Sequence, residues 1–223
     1  MKRIFVPTKD AEDWKRFLAK PDLHWKKGYS ARALAHCWEA ADGFPPEVAA
    51  IFEGSHELEL LLAIPEHTVA LPGGKQPSYS DLFVLARDGA GQLVVIMVEG
   101  KVSERFGPTL GEWSASPSKG KLARLEFLRN ILGLPTSIPP SIRYQLLHRT
   151  ASAVIEARRF TAPSAVMLVH SFNPENLWLD DFQEFARLFG VNPEMGILSP
   201  LRVLNEVSLY AGWVKGDPRF LSA

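Results

Sequence analysis

The sequence predicts a mixed α/β domain, on three observations. Apolar residues recur at three-to-four spacing in several segments, they alternate or run together in others, and turn residues separate the two regimes. The chain has 223 residues, 46% hydrophobic and 10% aromatic, which is enough for one packed core and excludes disorder as its main state. A single cysteine, Cys37, excludes a disulfide framework and a multi-cysteine zinc site, and suits a reducing compartment, the cytoplasm by default. The opening Met1-Lys2-Arg3-Ile4-Phe5-Val6-Pro7 leads into Thr8, Lys9 and Asp10 rather than an apolar run, so no signal peptide is expected. No stretch reaches the roughly 18 apolar residues of a membrane span.

Ser30 is the expected N-cap of a helix reaching Ala41, with Leu34, Cys37, Trp38 and Ala41 as its apolar stripe. A second helix starts near Pro46, buries Val48, Ile51 and Phe52, and stops at Gly54-Ser55. Leu58 to Ile64 reads as a strand, Thr68 to Leu71 as its bent continuation or a separate short one, and Pro72-Gly73-Gly74 as a turn. Asp81 to Ala86 and Leu93 to Val102 form a hairpin around Asp88-Gly89-Ala90-Gly91. The second of these strands is apolar on both faces, which places it centrally in a sheet. A helix from Lys119 to Leu132 is closed by Gly133, and another runs from Ser141 to Arg159 with Gln145, His148, Arg149, Ser152 and Glu156 facing outward. A strand (Ala165 to Val169), a helix (Leu179 to Phe189) and a last strand (Val207 to Trp213) complete one domain spanning 1–223.

Charge interrupts the hairpin at two places. Asp81 begins one strand, and Glu99-Gly100-Lys101 ends the apolar run of the other. Alternation puts Glu99 and Lys101 on one face, and a turn centred on Ala90 puts Asp81 opposite Glu99, with β-carbons about 5 Å apart. A one-residue slip would separate the two carboxylates. Held so close, they repel unless a cation lies between them. Mg²⁺ or Mn²⁺ suits an oxygen set of Asp81, Glu99 and the unobstructed carbonyl of Gly100. Lys101, on the same face, is placed to act on the attacking water or on charge developing at phosphorus. The competing reading is an exposed Glu–Lys ion pair at the rim of the sheet.

These residues resemble the PD-(D/E)XK phosphodiesterase superfamily, the fold of many restriction endonucleases and DNA-repair nucleases. Its signature is an acid at the start of one hairpin strand and Asp/Glu-x-Lys on the next, inside an α-β-β-β-α-β core. Ser80-Asp81 stands where the family has Pro-Asp, and Glu99-Gly100-Lys101 is an unaltered Glu-x-Lys. The resemblance covers about residues 30–172 and implies a restriction-endonuclease-like core, a mixed central sheet flanked by helices, with 173–223 as a helix–strand extension. It implies Asp81 and Glu99 as metal ligands and Lys101 as catalytic. Members often add an acid from the helix before the first strand; Glu39 and Glu53 both qualify by position, with Glu39 preferred. Some members carry Gln-x-x-x-Tyr on a later helix, whereas this chain has Gln145-Leu146-Leu147-His148-Arg149, a departure from that subgroup. Gln145 and Arg149 lie one helical turn apart, within reach of a phosphate.

The function expected is metal-dependent hydrolysis of nucleic acid, DNA ahead of RNA, and the alternative is a catalytically inactive member of the fold that binds nucleic acid or protein. A homodimer would suit cleavage of both strands of a duplex. With 25 basic and 25 acidic residues the net charge is zero, but residues 119–159 hold eight basic residues against two acids. Lys119, Lys121, Gln145 and Arg149 are therefore the expected phosphate contacts, on one limited face. Cys37 reads as core rather than nucleophile, Gly73-Gly74-Lys75 as a turn, and His36, His56, His67 and His170 as scattered. Trp25 and Trp113 lie in loop-like sequence where a ring is free to stack on a base.

Overall fold

The structure, a computed structural model, describes residues 8–53 and 58–223. Met1 to Pro7, the Gly54-Ser55 stop and His56 lie outside the described residues. Strands Glu59–Val69 (β1), Ser78–Arg87 (β2), Leu93–Lys101 (β3), Ser164–Ser171 (β4), Ser199–Leu204 (β5) and Val207–Lys215 (β6) form one sheet in the order β1-β2-β3-β4-β6-β5. Neighbours are antiparallel except around β4, which runs parallel to both β3 and β6. The helices are Pro21–His24 (α1), Ser30–Ala40 (α2), Pro46–Ala50 (α3), Leu110–Ser114 (α4), Lys119–Leu132 (α5), Tyr144–Arg159 (α6) and Leu179–Arg187 (α7), with 3₁₀ turns at Ala11–Phe17 and Pro218–Ser222. Among the described residues no helix is long and apolar enough to cross a membrane.

Alternation along the central strands divides the core in two. Phe83, Val95, Met97 and Met167 face α5, α6 and α7, while Leu82, Val84, Ile96 and Leu168 face α2, α3 and the chain's first turns. The hairpin pairs Leu82 with Val98 and Phe83 with Met97, the register expected from a turn centred on Ala90. That turn is local chemistry: the Asp88 carboxylate accepts from the N–H groups of Ala90 (2.9 Å) and Gln92 (2.8 Å).

Several expectations are revised by long-range contacts. Of the two alternatives for Thr68 to Leu71, the continuation holds: β1 is one strand from Glu59 to Val69, with Glu66 at a left-handed φ of 52° inside it. Ser30 opens α2 rather than capping it, and its N–H is satisfied by the Glu104 carboxylate (3.0 Å) from a distant loop. Residues 173–223 are not an appendage: β6 lies inside the sheet between β4 and β5, joined to β5 by a turn in which Asn205 and Glu206 both have positive φ. The polar stripe of α6 does not face water, since Arg149, Ser152 and Glu156 are all buried. It packs over the polar ends of β1, β2 and β3, so α6 is covered on both sides.

The Pro72-Gly73-Gly74 turn is clamped to α5. The Arg124 guanidinium donates to the carbonyls of Pro72 (2.8 Å), Leu71 (3.3 Å) and Gly74 (3.4 Å). Gly73 has φ +81°, and a β-carbon there would lie 2.1 Å from the Gly120 carbonyl oxygen. Gly73→Ala is therefore expected to destabilise by at least about 1–3 kcal/mol. At Gly74 a β-carbon would meet only the Arg124 guanidinium, Nη2 at 3.5 Å and Cζ at 4.0 Å, so Gly74→Ala should cost much less. Urea titration of both variants checks this; equal midpoints would contradict the clamp.

Candidate active site

The β2–β3 ladder ends at Leu82 and Val98, and beyond it the two strands separate. Asp81 turns into this opening and accepts the Gly100 N–H on Oδ2 (2.7 Å). The N–H and C=O of a residue in an extended strand point to the same side, so the Gly100 carbonyl is directed toward β2 as well. On the other flank of β2, Pro65 pairs with Leu82 and His67 with Ser80, which leaves Glu66 opposite Asp81. Glu66, Asp81, Glu99 and Lys101 all line one cleft of about 690 Å³, together with Gln145 and Arg149 of α6.

Glu99 and Lys101 project toward α6 from the end of β3. Lys101 Nζ lies 2.6 Å from Glu99 Oε1 and 4.7 Å from the centroid of the Phe106 ring. Arg149 Nε donates to Glu99 Oε2 (2.6 Å), its Nη1 to Ser78 Oγ (3.2 Å), and Gln145 Nε2 to Glu99 Oε1 (2.7 Å). Both carboxylate oxygens of Glu99 are thus occupied. At 2% and 3% exposure, Glu99 and Lys101 are an interior network rather than a rim ion pair.

The electrostatics of the three acids diverge. Burial opposes ionisation of Glu99, but Arg149 and Lys101 outweigh it and hold the carboxyl at about 2. Asp81 is pushed up to about 7 by burial and by the charge of Glu99. Glu66 is pushed up to about 9 by burial and by Asp81. Three carboxylates face two cations, and the deficit falls on Asp81 and Glu66. His148, beside them, is held well below its ordinary range by burial and by Arg149, and its Nδ1 lies 2.8 Å from Ser78 Oγ.

The hairpin acids and Lys101 are therefore brought together, with Gly100 behind Asp81. Glu39 is not brought to them: its Oε1 accepts from Trp14 Nε1 (2.9 Å) and Thr8 Oγ1 (3.2 Å), and it lies more than two helical turns along α2 from the Ser30 end that borders the cleft. Glu53 does not line the cleft either. The acid that arrives instead is Glu66, in Pro65-Glu66-His67. Its signal in the sequence was a charged residue at the break between two strand-like runs, but only the β1–β2 register shows that it meets Asp81.

The expected phosphate contacts are also redistributed. Gln145 and Arg149 reach the cleft, bound to Glu99. Lys121 instead holds the α4–α5 junction, donating to the carbonyls of Trp113 (2.7 Å) and Ser116 (2.9 Å), and Lys119 is exposed outside the cleft lining. Much of the basic surplus of residues 119–159 is internal: Arg124 clamps the Gly73 turn, Arg143 pairs with Asp181 (2.9 Å), and Arg149 serves Glu99. Trp25 is buried and donates to Glu12, while Trp113 stacks on Tyr144 at 4.1 Å, so neither ring is free for a base.

A second polar cluster lies on the α2 side of the sheet. Cys37, Glu47 and His170 offer ligand atoms within 4.8 Å of one another, the one such trio found among the described residues. Trp38 Nε1 donates to His170 Nδ1 (3.2 Å), so the proton of the neutral ring sits on Nε2 and is donated to Glu47 Oε1 (3.0 Å). A metal at Nε2 would require the opposite tautomer. Burial and the Glu47 charge push the Cys37 thiol up, away from thiolate. The trio is a hydrogen-bond network joining α2, α3 and β4, and Cys37 is core, as its helix face implies.

A family model described as "Domain of unknown function (DUF6946)" matches residues 7–218. No curated protein and no solved structure matches the chain.

Proposed function

We propose that this chain, which belongs to the family described as "Domain of unknown function (DUF6946)", hydrolyses phosphodiester bonds of nucleic acid, DNA ahead of RNA, with the help of Mg²⁺ or Mn²⁺. The observation that carries the reading is the meeting of Asp81 and Glu66 across β1 and β2, both with raised carboxyls, beside the Glu99–Lys101 pair. Hard oxygen donors packed this closely fit a divalent cation, which would replace the protons that the raised carboxyls hold. Asp81, Glu66 and the Gly100 carbonyl would hold it, while Glu99 stays committed to Lys101, Gln145 and Arg149. When bound, such an ion supplies an acidified water and neutralises charge on the phosphate.

The chain's own residues do the rest. Glu99 fixes the Lys101 ammonium through a 2.6 Å contact, and the Phe106 ring supports it from below. Held there without freedom to reorient, Lys101 offers its charge to a phosphoryl oxygen as negative charge builds. Gln145 and Arg149 fix the other side of Glu99, so the pair is set before substrate arrives. His148, kept neutral by burial and by Arg149, borders the cleft and holds Ser78 Oγ through Nδ1 (2.8 Å), which steadies the hydroxyl that Arg149 also binds.

A second reading, a non-catalytic nucleic-acid-binding member of the fold, is favoured by one observation: Arg149 sits on the Glu99 oxygen that the family resemblance assigns to metal. Cleavage assays on plasmid, linear duplex and single-stranded substrates with Mg²⁺ or Mn²⁺ separate the two. The expected result is metal-dependent cleavage by the wild type that is lost in Asp81→Ala and Lys101→Ala. Cleavage that survives both substitutions would come from a contaminant, and binding without any cleavage would establish the second reading.

A further inference from the structure

We infer that the cleft takes a single-stranded nucleic acid, whose unpaired bases stack on Tyr29 and Tyr79; this rests on the proposed reading of the same site and names its substrate class. Tyr29 and Tyr79 are each 39% exposed although large apolar rings are usually covered, and both line the cleft that holds Asp81 and Lys101. Tyr79 lies two residues before Asp81 on β2, so it stands on the same side of the strand, one step outward from the acid. Tyr29 precedes α2, whose first residue, Ser30, also borders the cleft. Among the described residues neither ring is packed against another aromatic ring as Trp113 and Tyr144 are, and a base has a face for each.

Charge and size favour the same occupant. Lys26 Nζ lies 5.9 Å from the Tyr29 ring centroid, and Arg105 is exposed on the cleft's border, so cations accompany the rings at the mouth while the acids lie at the floor. A backbone phosphate between the two rings would meet these cations. The cleft's 690 Å³ falls in the range that encloses small ligands, about 300–1,000 Å³, which suits a few nucleotides of one strand. Glu99 and Lys101 are buried, so the scissile phosphate must descend to them, and a strand released from its complement is able to do so.

The test is fluorescence anisotropy of the full chain with a labelled dT12 oligonucleotide and a labelled 12-base-pair duplex, with Ca²⁺ in place of Mg²⁺. The expected result is tighter binding of dT12 than of duplex, by about tenfold or more. Tyr29→Ala and Tyr79→Ala should each weaken dT12 binding by about 5- to 150-fold, the loss of one base–aromatic stack, and leave duplex binding unchanged. Tyr→Trp at either position should retain binding, and circular dichroism melting confirms that the variants fold. Duplex binding as tight as dT12 binding, no binding of either probe, or alanine variants that bind dT12 like the wild type would overturn the inference. Parallel cleavage with Mg²⁺ keeps the two readings apart: preferential dT12 binding without cleavage removes the hydrolase alone, and cleavage with duplex preference removes the single-strand inference alone.

Discussion

Glu99→Ala is expected to lower stability by about 3–5 kcal/mol, because it leaves two buried cations without their common partner. Arg149 and Lys101 have side-chain exposures of 8% and 4%, and each has Glu99 as its ionic partner at 2.6 Å. With the carboxylate gone, both charges keep their low exposure but lose that partner. For a chain of this size the loss corresponds to a melting point lower by about 6–20 °C. Glu99→Gln keeps the shape and the hydrogen-bonding oxygen but not the charge, so its cost should fall between wild type and alanine. In a double-mutant cycle, Glu99→Ala with Arg149→Ala should cost less than the two changes summed, since removing the guanidinium relieves the stranded charge. Denaturant titrations measure all four proteins. A Glu99→Ala loss under about 1 kcal/mol, or strict additivity, would mean that the network is not the rigid unit described.

The second large effect concerns pH. Between pH 6.5 and 8.5 in metal-free buffer, stability is expected to fall as pH rises. Glu66 and Asp81 are raised to about 9 and about 7 in the folded protein, whereas unfolded carboxyls titrate near 4, so the folded state holds more protons across this window. Excess protons on the folded side make the slope of unfolding free energy against pH negative. Since Glu66 is partly exposed, the change is about 1–2 kcal/mol rather than the full linkage value. Buried His148 and His170 have lowered values and give the opposite slope, but only below the ordinary histidine range near 6.5. Glu99, lowered to about 2, stabilises the fold above its unfolded value near 4.3 and loses that contribution as pH falls toward 2. The expected signature is a melting point that declines from pH 6.5 to 8.5 in the wild type and stays flatter in Glu66→Gln. Mg²⁺ at about ten times its dissociation constant should recover about 1.4 kcal/mol, or about 3–6 °C, and more at pH 8.5 than at pH 6.5 because ligating carboxylates must be deprotonated. An equal Mg²⁺ shift at both pH values, or a wild-type decline unchanged in Glu66→Gln, would separate the titration from these acids.

Local patterns in the chain carried the hairpin, its register and the long helices. The Asp88 turn is built from its own neighbours, and alternation of apolar residues leaves one pairing that buries both faces of β3. Helix α5 carries its own ends, with Ser118 Oγ accepting from Lys121 N (3.2 Å) and Gly133 at φ 62°. Asp81, Glu99 and Lys101 were legible for the same reason, because a hairpin fixes its cross-strand neighbours within about twenty residues of chain.

What lay beyond the sequence were partners chosen by packing across long separations. Glu66 became an acid of the site because β1 pairs with β2 in the register that sets it opposite Asp81. Arg149 and Gln145, outward on a helical wheel, turned inward because α6 lies across the polar ends of the strands, where Glu99 and Ser78 require donors. Glu39 followed the opposite course, its carboxylate held by Thr8 and Trp14 from the chain's first turns. By itself the sequence determined which residues alternate, turn and repel, since these depend on neighbours along the chain. Only the tertiary structure decided which charges meet, because a carboxylate and its cation are joined by the order of strands in a sheet and the helix laid over it, and that order is written in no local period.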